Sequence, residues 1–220
     1  MLKIKETIYC IRQEEWEILL AKGGIEETFG LSFQKEEMSK REMLQTLYRM
    51  VKKKMLRVEQ GNFLVQEPYG KILKQVKMAS FGLHVRQKAE KEKQIFAYMG
   101  QCLVVCIPAR NQRQAFDIQL LEKEQWLSYL WEQKFFPYYE TLCKKGEAKQ
   151  EKGLPLCSQE IFNMSFVETV LSKVNLMEQK ETHWLAFGEE DGKQELLWHG
   201  GRIDYSMDAL ASCMKGMMQG

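Results

Sequence analysis

Ser39-Lys-Arg-Glu-Met-Leu-Gln-Thr-Leu-Tyr-Arg-Met-Val-Lys-Lys-Lys-Met-Leu-Arg-Val-Glu-Gln-Gly-Asn-Phe-Leu-Val65, continued by Glu67-Pro-Tyr-Gly-Lys-Ile-Leu-Lys-Gln-Val76, is the most strongly patterned stretch of this chain. Ser39 and Glu42 have the spacing of a capping box, in which serine oxygen and glutamate carboxylate each satisfy an orphaned backbone N–H, so a helix starts here. Leu44, Leu47, Tyr48, Val51 and Met55 recur at three- and four-residue spacing. That spacing places them on one face and leaves Lys40, Arg49 and Lys52 to Lys54 largely on the others. Leu56 to Glu59 and Asn62 to Gln66 bracket Gln60–Gly61, the turn of a short hairpin. Pro68 fits the first turn of a second helix, where its missing N–H costs nothing, and Tyr69, Ile72, Leu73 and Val76 make that helix amphipathic.

Working outward, Ile8 to Ile11 reads as a strand or the lead into a helix over Gln13 to Lys22, which carries Trp16, Leu19 and Leu20 on one face and stops at Gly23–Gly24. From Phe81 the period becomes two: Phe81, Leu83 and Val85 alternate with Gly82, His84 and Arg86. Strands are predicted again at Ile95 to Met99, Cys102 to Ile107 and Ala115 to Leu121, and the charged run 87–93 reads as a turn, so this region is an antiparallel meander. A helix over Glu122 to Trp131 closes it. The polar run beginning at Lys144 is a linker. Beyond it, Phe166, Val167, Val170, Leu171 and Val174 predict a helix. Strands follow at Leu176 to Lys180, His183 to Phe187, Glu195 to His199 and Arg202 to Tyr205, with turns at 189–192 and 200–201, and a last helix runs from Met207 to Met218.

Helix, four strands and helix thus occur twice in the same order. The predicted fold class is α+β: two similar helix–antiparallel-meander–helix halves packed with pseudo-twofold symmetry behind a mainly helical front segment. The segments are 1–67, the first half 68–142, the linker 143–163 and the second half 164–220.

The 220 residues suffice to bury a core without metal or disulfide staples. The net charge is +2, with 15 basic against 11 acidic residues in 1–79, 8 against 7 in 80–142, and 9 against 12 in 143–220. One cationic cluster stands out: Arg49, Lys52, Lys53, Lys54 and Arg57, the candidate nucleic-acid contacts if phosphate neutralisation is their role. Cations at a helix end also complement its dipole. The six cysteines lack C-x-x-C pairing, and Cys102 and Cys106 read as small buried hydrophobes. With no signal-peptide core in Met-Leu-Lys-Ile-Lys-Glu and no bilayer-length apolar run, the expectation is a cytoplasmic protein without a membrane partner.

Catalytic and cofactor chemistry is sparse. His84, His183 and His199 have no His-Glu-x-x-His spacing, no serine lies in a G-x-S-x-G elbow, and Gly200–Gly201 has no following helix to make a phosphate loop. No catalytic, metal or cofactor residue is assigned, and the expectation is that the chain is not an enzyme. Met207, Met214, Met217 and Met218 crowd the last helix, either as core or as an adaptable partner surface.

Two resemblances follow. Helix, hairpin and helix over residues 39–78 resembles a winged helix, which implies a DNA-binding regulator. The whole order of elements, with the leucine-rich piece ending in Gly-Asn-Phe-Leu-Val, resembles the substrate chaperones of bacterial type VII (ESX) secretion, cytosolic α+β proteins with quasi-twofold halves. That resemblance implies a non-enzymatic protein that binds a helical secretion substrate, and it carries over no functional residue. Protein binding is the first expectation, nucleic acid the alternative, and a homodimer built on the last helix a third.

Overall fold

The computed structural model describes residues 7–26, 28–30, 38–88, 93–109, 114–137, 149–150, 157–198 and 201–219. The fold is mixed α+β with antiparallel strand pairing. The chain forms two compact units, one from Lys5–Ser80 and Phe96–Leu120, the other built mainly from Phe81–Ile95 and Leu121–Gly220. The predicted first half, 68–142, contributes to both.

In the first unit, β1 (Tyr9–Arg12) pairs antiparallel with β7 (Ala115–Leu121), Tyr9 opposite Ile118 and Arg12 opposite Ala115. Next to β7 lies β6 (Leu103–Pro108), whose other neighbour is β5 (Lys93–Met99), in register Phe96 to Cys106 and Met99 to Leu103. Helices α1 (Gln13–Gly23) and α3 (Tyr69–Met78) pack on one another, burying Trp16, Leu19, Leu20, Ile72, Leu73 and Val76. Gly24, at φ 64°, ends α1 in the left-handed conformation its missing Cβ permits. Buried Gln75 pins α3 to the β5–β6 turn, its Oε1 accepting from Gln101 N at 3.0 Å and Cys102 N at 3.2 Å.

Between these helices the chain runs through α2 (Lys40–Lys52) and a separate two-stranded sheet, β2 (Leu56–Glu59) and β3 (Asn62–Val65). The capping box is formed: Ser39 N donates to Glu42 Oε2 at 2.8 Å and Glu42 N to Ser39 Oγ at 3.3 Å. The hairpin turns at Gln60 and Gly61, both at positive φ (50° and 78°), the two-residue geometry that matches strand twist.

The second unit orders its strands β4 (Phe81–Gln87), β9 (Val167–Asn175), β10 (Lys180–Glu190), β11 (Lys193–Trp198), β12 (Gly201–Asp204) and β8 (Lys149–Gln150). Helix α5 (Ser158–Asn163) lies on one face, where Ile161 joins Val167, Val170, Trp184, Ala186 and Leu197. The opposite face carries α6 (Met207–Met218), and Phe187 there meets the rings of Phe136 and Tyr205 edge-on. Buried Lys173 shows the depth of this face: its Nζ donates to Gln219 O at 2.8 Å and stands over the Phe81 ring. After β7, a 3-10 turn (Lys123–Gln125) leads into α4 (Trp126–Glu132), which buries Trp126, Tyr129 and Leu130.

The helix expected over 166–174 is a correction: this segment is β9. Both faces of the strand are covered, so apolar residues occupy both, and the period-two alternation that marks a half-exposed strand is lost. Val167, Thr169, Val170 and Val174 are β-branched, in keeping with a strand. The strand expected at 176–180 is instead a turn over 176–179, in which Asn175 Oδ1 accepts from Met177 N and Glu178 N before β10 begins at Lys180. The order helix, four strands, helix still occurs twice, as α3–β4–β5–β6–β7–α4 and α5–β9–β10–β11–β12–α6, with α5 inside the stretch expected to be linker. Of the other expectations, those at residues 89–92, 143–148, 151–156 and 199–200 lie outside the described residues.

Candidate functional site

The five candidate cations separate into three groups. Arg49 turns toward α1, where its Nε donates to Glu15 Oε1 and its Nη2 to Glu14 Oε1, each at 2.8 Å, with a further bond to Thr46 Oγ1 at 3.2 Å. Lys53, one turn later, donates to Glu15 Oε2 at 2.8 Å. The second group, Lys52 and Lys54, is exposed. Arg57, on the hairpin, pairs with Glu59 across 3.0 Å of open surface.

Glu15 is the centre of this arrangement. Its side chain has 0% exposure, and Oε2 also accepts from Arg12 N at 3.0 Å. Burial by itself raises its pKa, but the bonds from Lys53, the Arg12 backbone and Arg49 outweigh that and hold the carboxyl below its ordinary value. Glu15 is therefore ionised at neutral pH and clamps α2 to α1. This role was missed in the sequence, although Arg49 and Lys53 at i, i+4 and an acidic pair in the first turn of a neighbouring helix were legible as complementary charges.

Helix α2 buries Thr46 and Met50 on the side that carries Arg49 and Lys53. At about 100° per residue, Leu44, Leu47, Tyr48 and Val51 lie on the opposite side. Leu44 is 66% exposed and Tyr48 74%, with Met43 at 45%, while Leu47 and Val51 are half-buried. On the adjoining hairpin Val58 and Leu64 are exposed as well. The apolar stripe thus faces outward, and the mixed polar face holds the helix in place. The helix ends where Lys54, at φ 58°, lets Lys54 N reach Val51 O and Met55 N reach Met50 O. Met55 and Leu56 are then drawn into the core.

The methionines of α6 are placed differently. Met214 and Met217 are buried in the second unit, and Met207 and Met218 are half-buried. Of the histidines, His84 lies within 3.4 Å of Gln94 Oε1, His183 stacks on Trp198, and His199 is outside the described residues. Burial lowers the His84 pKa to about 4, Arg86 acting in the same direction and the Gln94 bond opposing. Cys102, Cys106 and Cys213 are buried thiols. Among the described residues no three His, Cys, Asp or Glu side chains are gathered as a metal ion requires, and no helix is long and apolar enough to cross a membrane.

No protein-family model matches the chain, and no curated protein matches it.

Proposed function

We infer that this chain is a non-enzymatic, chaperone-like protein whose work is to bind another protein. The observation that carries this reading is the outward apolar stripe of α2, since a helix that shows Leu44 and Tyr48 to water while its cations hold it to α1 is built to be covered. The resemblance to type VII secretion chaperones adds a cytoplasmic location and a helical secretion substrate to the proposal. It also adds that the recurring helix–four strands–helix order reflects an internal duplication with pseudo-twofold symmetry.

The contact surface proposed is α2 rather than the methionines of α6, because Met214 and Met217 are part of the core. A winged-helix DNA-binding regulator is the second reading, supported by the α2–hairpin–α3 arrangement. Against it stands the engagement of Arg49 and Lys53 with Glu15 and of Arg57 with Glu59, which leaves Lys52 and Lys54 for phosphates.

The test is affinity capture from native lysate with the unaltered chain and with a Leu44→Ser/Tyr48→Ser variant. A stoichiometric protein retained by the first and lost by the second is the expected result. Capture of no stoichiometric protein by the unaltered chain removes the reading, and salt-sensitive retention of duplex DNA in a gel shift would replace it with the second.

A further inference from the structure

Resting on the protein-binding reading, we propose that the occupant of the α2 stripe is an amphipathic helix with an acidic border. Leu44, Leu47, Tyr48 and Val51 make a narrow ridge spanning eight residues, about 10 Å, or two turns. That is the shape an amphipathic helix meets with apolar residues at i, i+3, i+4 and i+7. The charged side chains that α2 itself sets beside the ridge are basic. Arg41 lies three residues before Leu44 and Lys52 four after Tyr48, so both border the stripe, and Lys40 stands at its N-terminal end. All three are exposed. The only carboxylate of α2, Glu42, falls on the far side of the helix and is tied to Ser39.

This border selects among occupants. A second copy laid stripe to stripe would bring Arg41 and Lys52 against the same cations, and like charges brought together across an interface oppose association. Nucleic acid asks for a cationic contact face, whereas the centre of this one is leucine, tyrosine and valine. An anionic membrane surface meets cations as well, and the vesicle arm of the experiment separates it from a helical partner. A helix with Asp or Glu beside its apolar stripe satisfies both the ridge and its border.

The experiment is fluorescence anisotropy of the full chain with three labelled helical peptides: a leucine stripe bordered by Glu, the same stripe bordered by Lys, and a scrambled Glu peptide. The Glu-bordered peptide is expected to bind, at least ten-fold more tightly than the other two and several-fold more weakly in high salt. Leu44→Ser/Tyr48→Ser is expected to abolish binding with its unfolding curve unchanged, and Arg41→Glu/Lys52→Glu to transfer preference to the Lys-bordered peptide. Equal binding of the two stripe peptides, or none of either, overturns the acidic helix. So does stripe-dependent sedimentation as a dimer, or stripe-dependent retention on phosphatidylserine vesicles or duplex DNA. If the serine variant unfolds appreciably more easily, the stripe is covered from within the chain and the proposal fails. The wider reading falls separately: it is lost when the unaltered chain captures no stoichiometric protein from lysate, whatever the peptides do. A captured protein lost on serine substitution but indifferent to charge reversal sustains that reading and overturns only the acidic border.

Discussion

Replacing Glu15 by Gln tests the clamp between α1 and α2 with little change of shape. The carboxylate receives three donors, Arg49 Nε at 2.8 Å, Lys53 Nζ at 2.8 Å and Arg12 N at 3.0 Å. A glutamine offers one acceptor oxygen, and its amide sets a donor against a donor. At least one hydrogen bond to a charged group is lost, worth about 1.5–3 kcal/mol. Breaking a fully buried ion pair costs about 3–5 kcal/mol, but the Arg49 and Lys53 side chains are 29% and 38% exposed and can recover water. The expected loss is therefore about 2–3 kcal/mol, read by urea unfolding at pH 7. The pH dependence has a definite sign. Because the folded carboxyl is held below its ordinary value of 4.5, its contribution is full above that pH and is lost as the pH falls through the folded value. The stability gap between the unaltered chain and the Glu15→Gln variant should therefore close in acid. A gap under about 0.5 kcal/mol at pH 7, within the range of ordinary surface substitutions, or one unchanged at pH 3, would refute the clamp.

Three further outcomes follow from the same structure. Lys53→Glu should lower stability measurably because it sets an acid against buried Glu15, while Lys52→Glu, one residue away and exposed, should change it by less than about 0.5 kcal/mol; thermal melts of the pair check this, and equal effects would contradict the assignment. Gly188→Ala should cost about 1–3 kcal/mol in denaturant unfolding, since its Cβ would stand 2.4 Å from the Phe166 carbonyl oxygen, a backbone atom that cannot swing away. His84 stays neutral in the fold to about pH 4 but ionises near 6.5 when unfolded, so stability should fall as pH drops between those values, by at most about 1.4 kcal/mol per unit. His84→Gln should flatten that part of the profile, and an unchanged profile counts against the burial of the ring.

Local chemistry in the sequence was enough for the features that depend on near neighbours. The Ser39–Glu42 box, the Gln60–Gly61 turn and the Gly24 stop each rest on a few adjacent residues, and each is formed as its residues dictate. The alternation at Phe81, Leu83 and Val85 reads as a strand for the same reason. Where burial comes from both sides, this legibility ends. Residues 167–175 are covered by α5 on one face and packed on the other, so their apolar pattern carries no period and imitates a helix.

The stripe on α2 shows the boundary most clearly. Periodicity alone establishes that Leu44, Leu47, Tyr48 and Val51 share a face, because helical geometry fixes which residues are neighbours. It cannot say which side of the helix the rest of the chain covers. That choice is made by Glu15, distant in sequence, whose desolvated carboxylate requires Arg49 and Lys53 as partners and so turns the apolar stripe outward. The sequence by itself determined the elements and their amphipathic faces; the tertiary structure decided which face meets water, since that depends on a charge pair made between segments far apart in the chain.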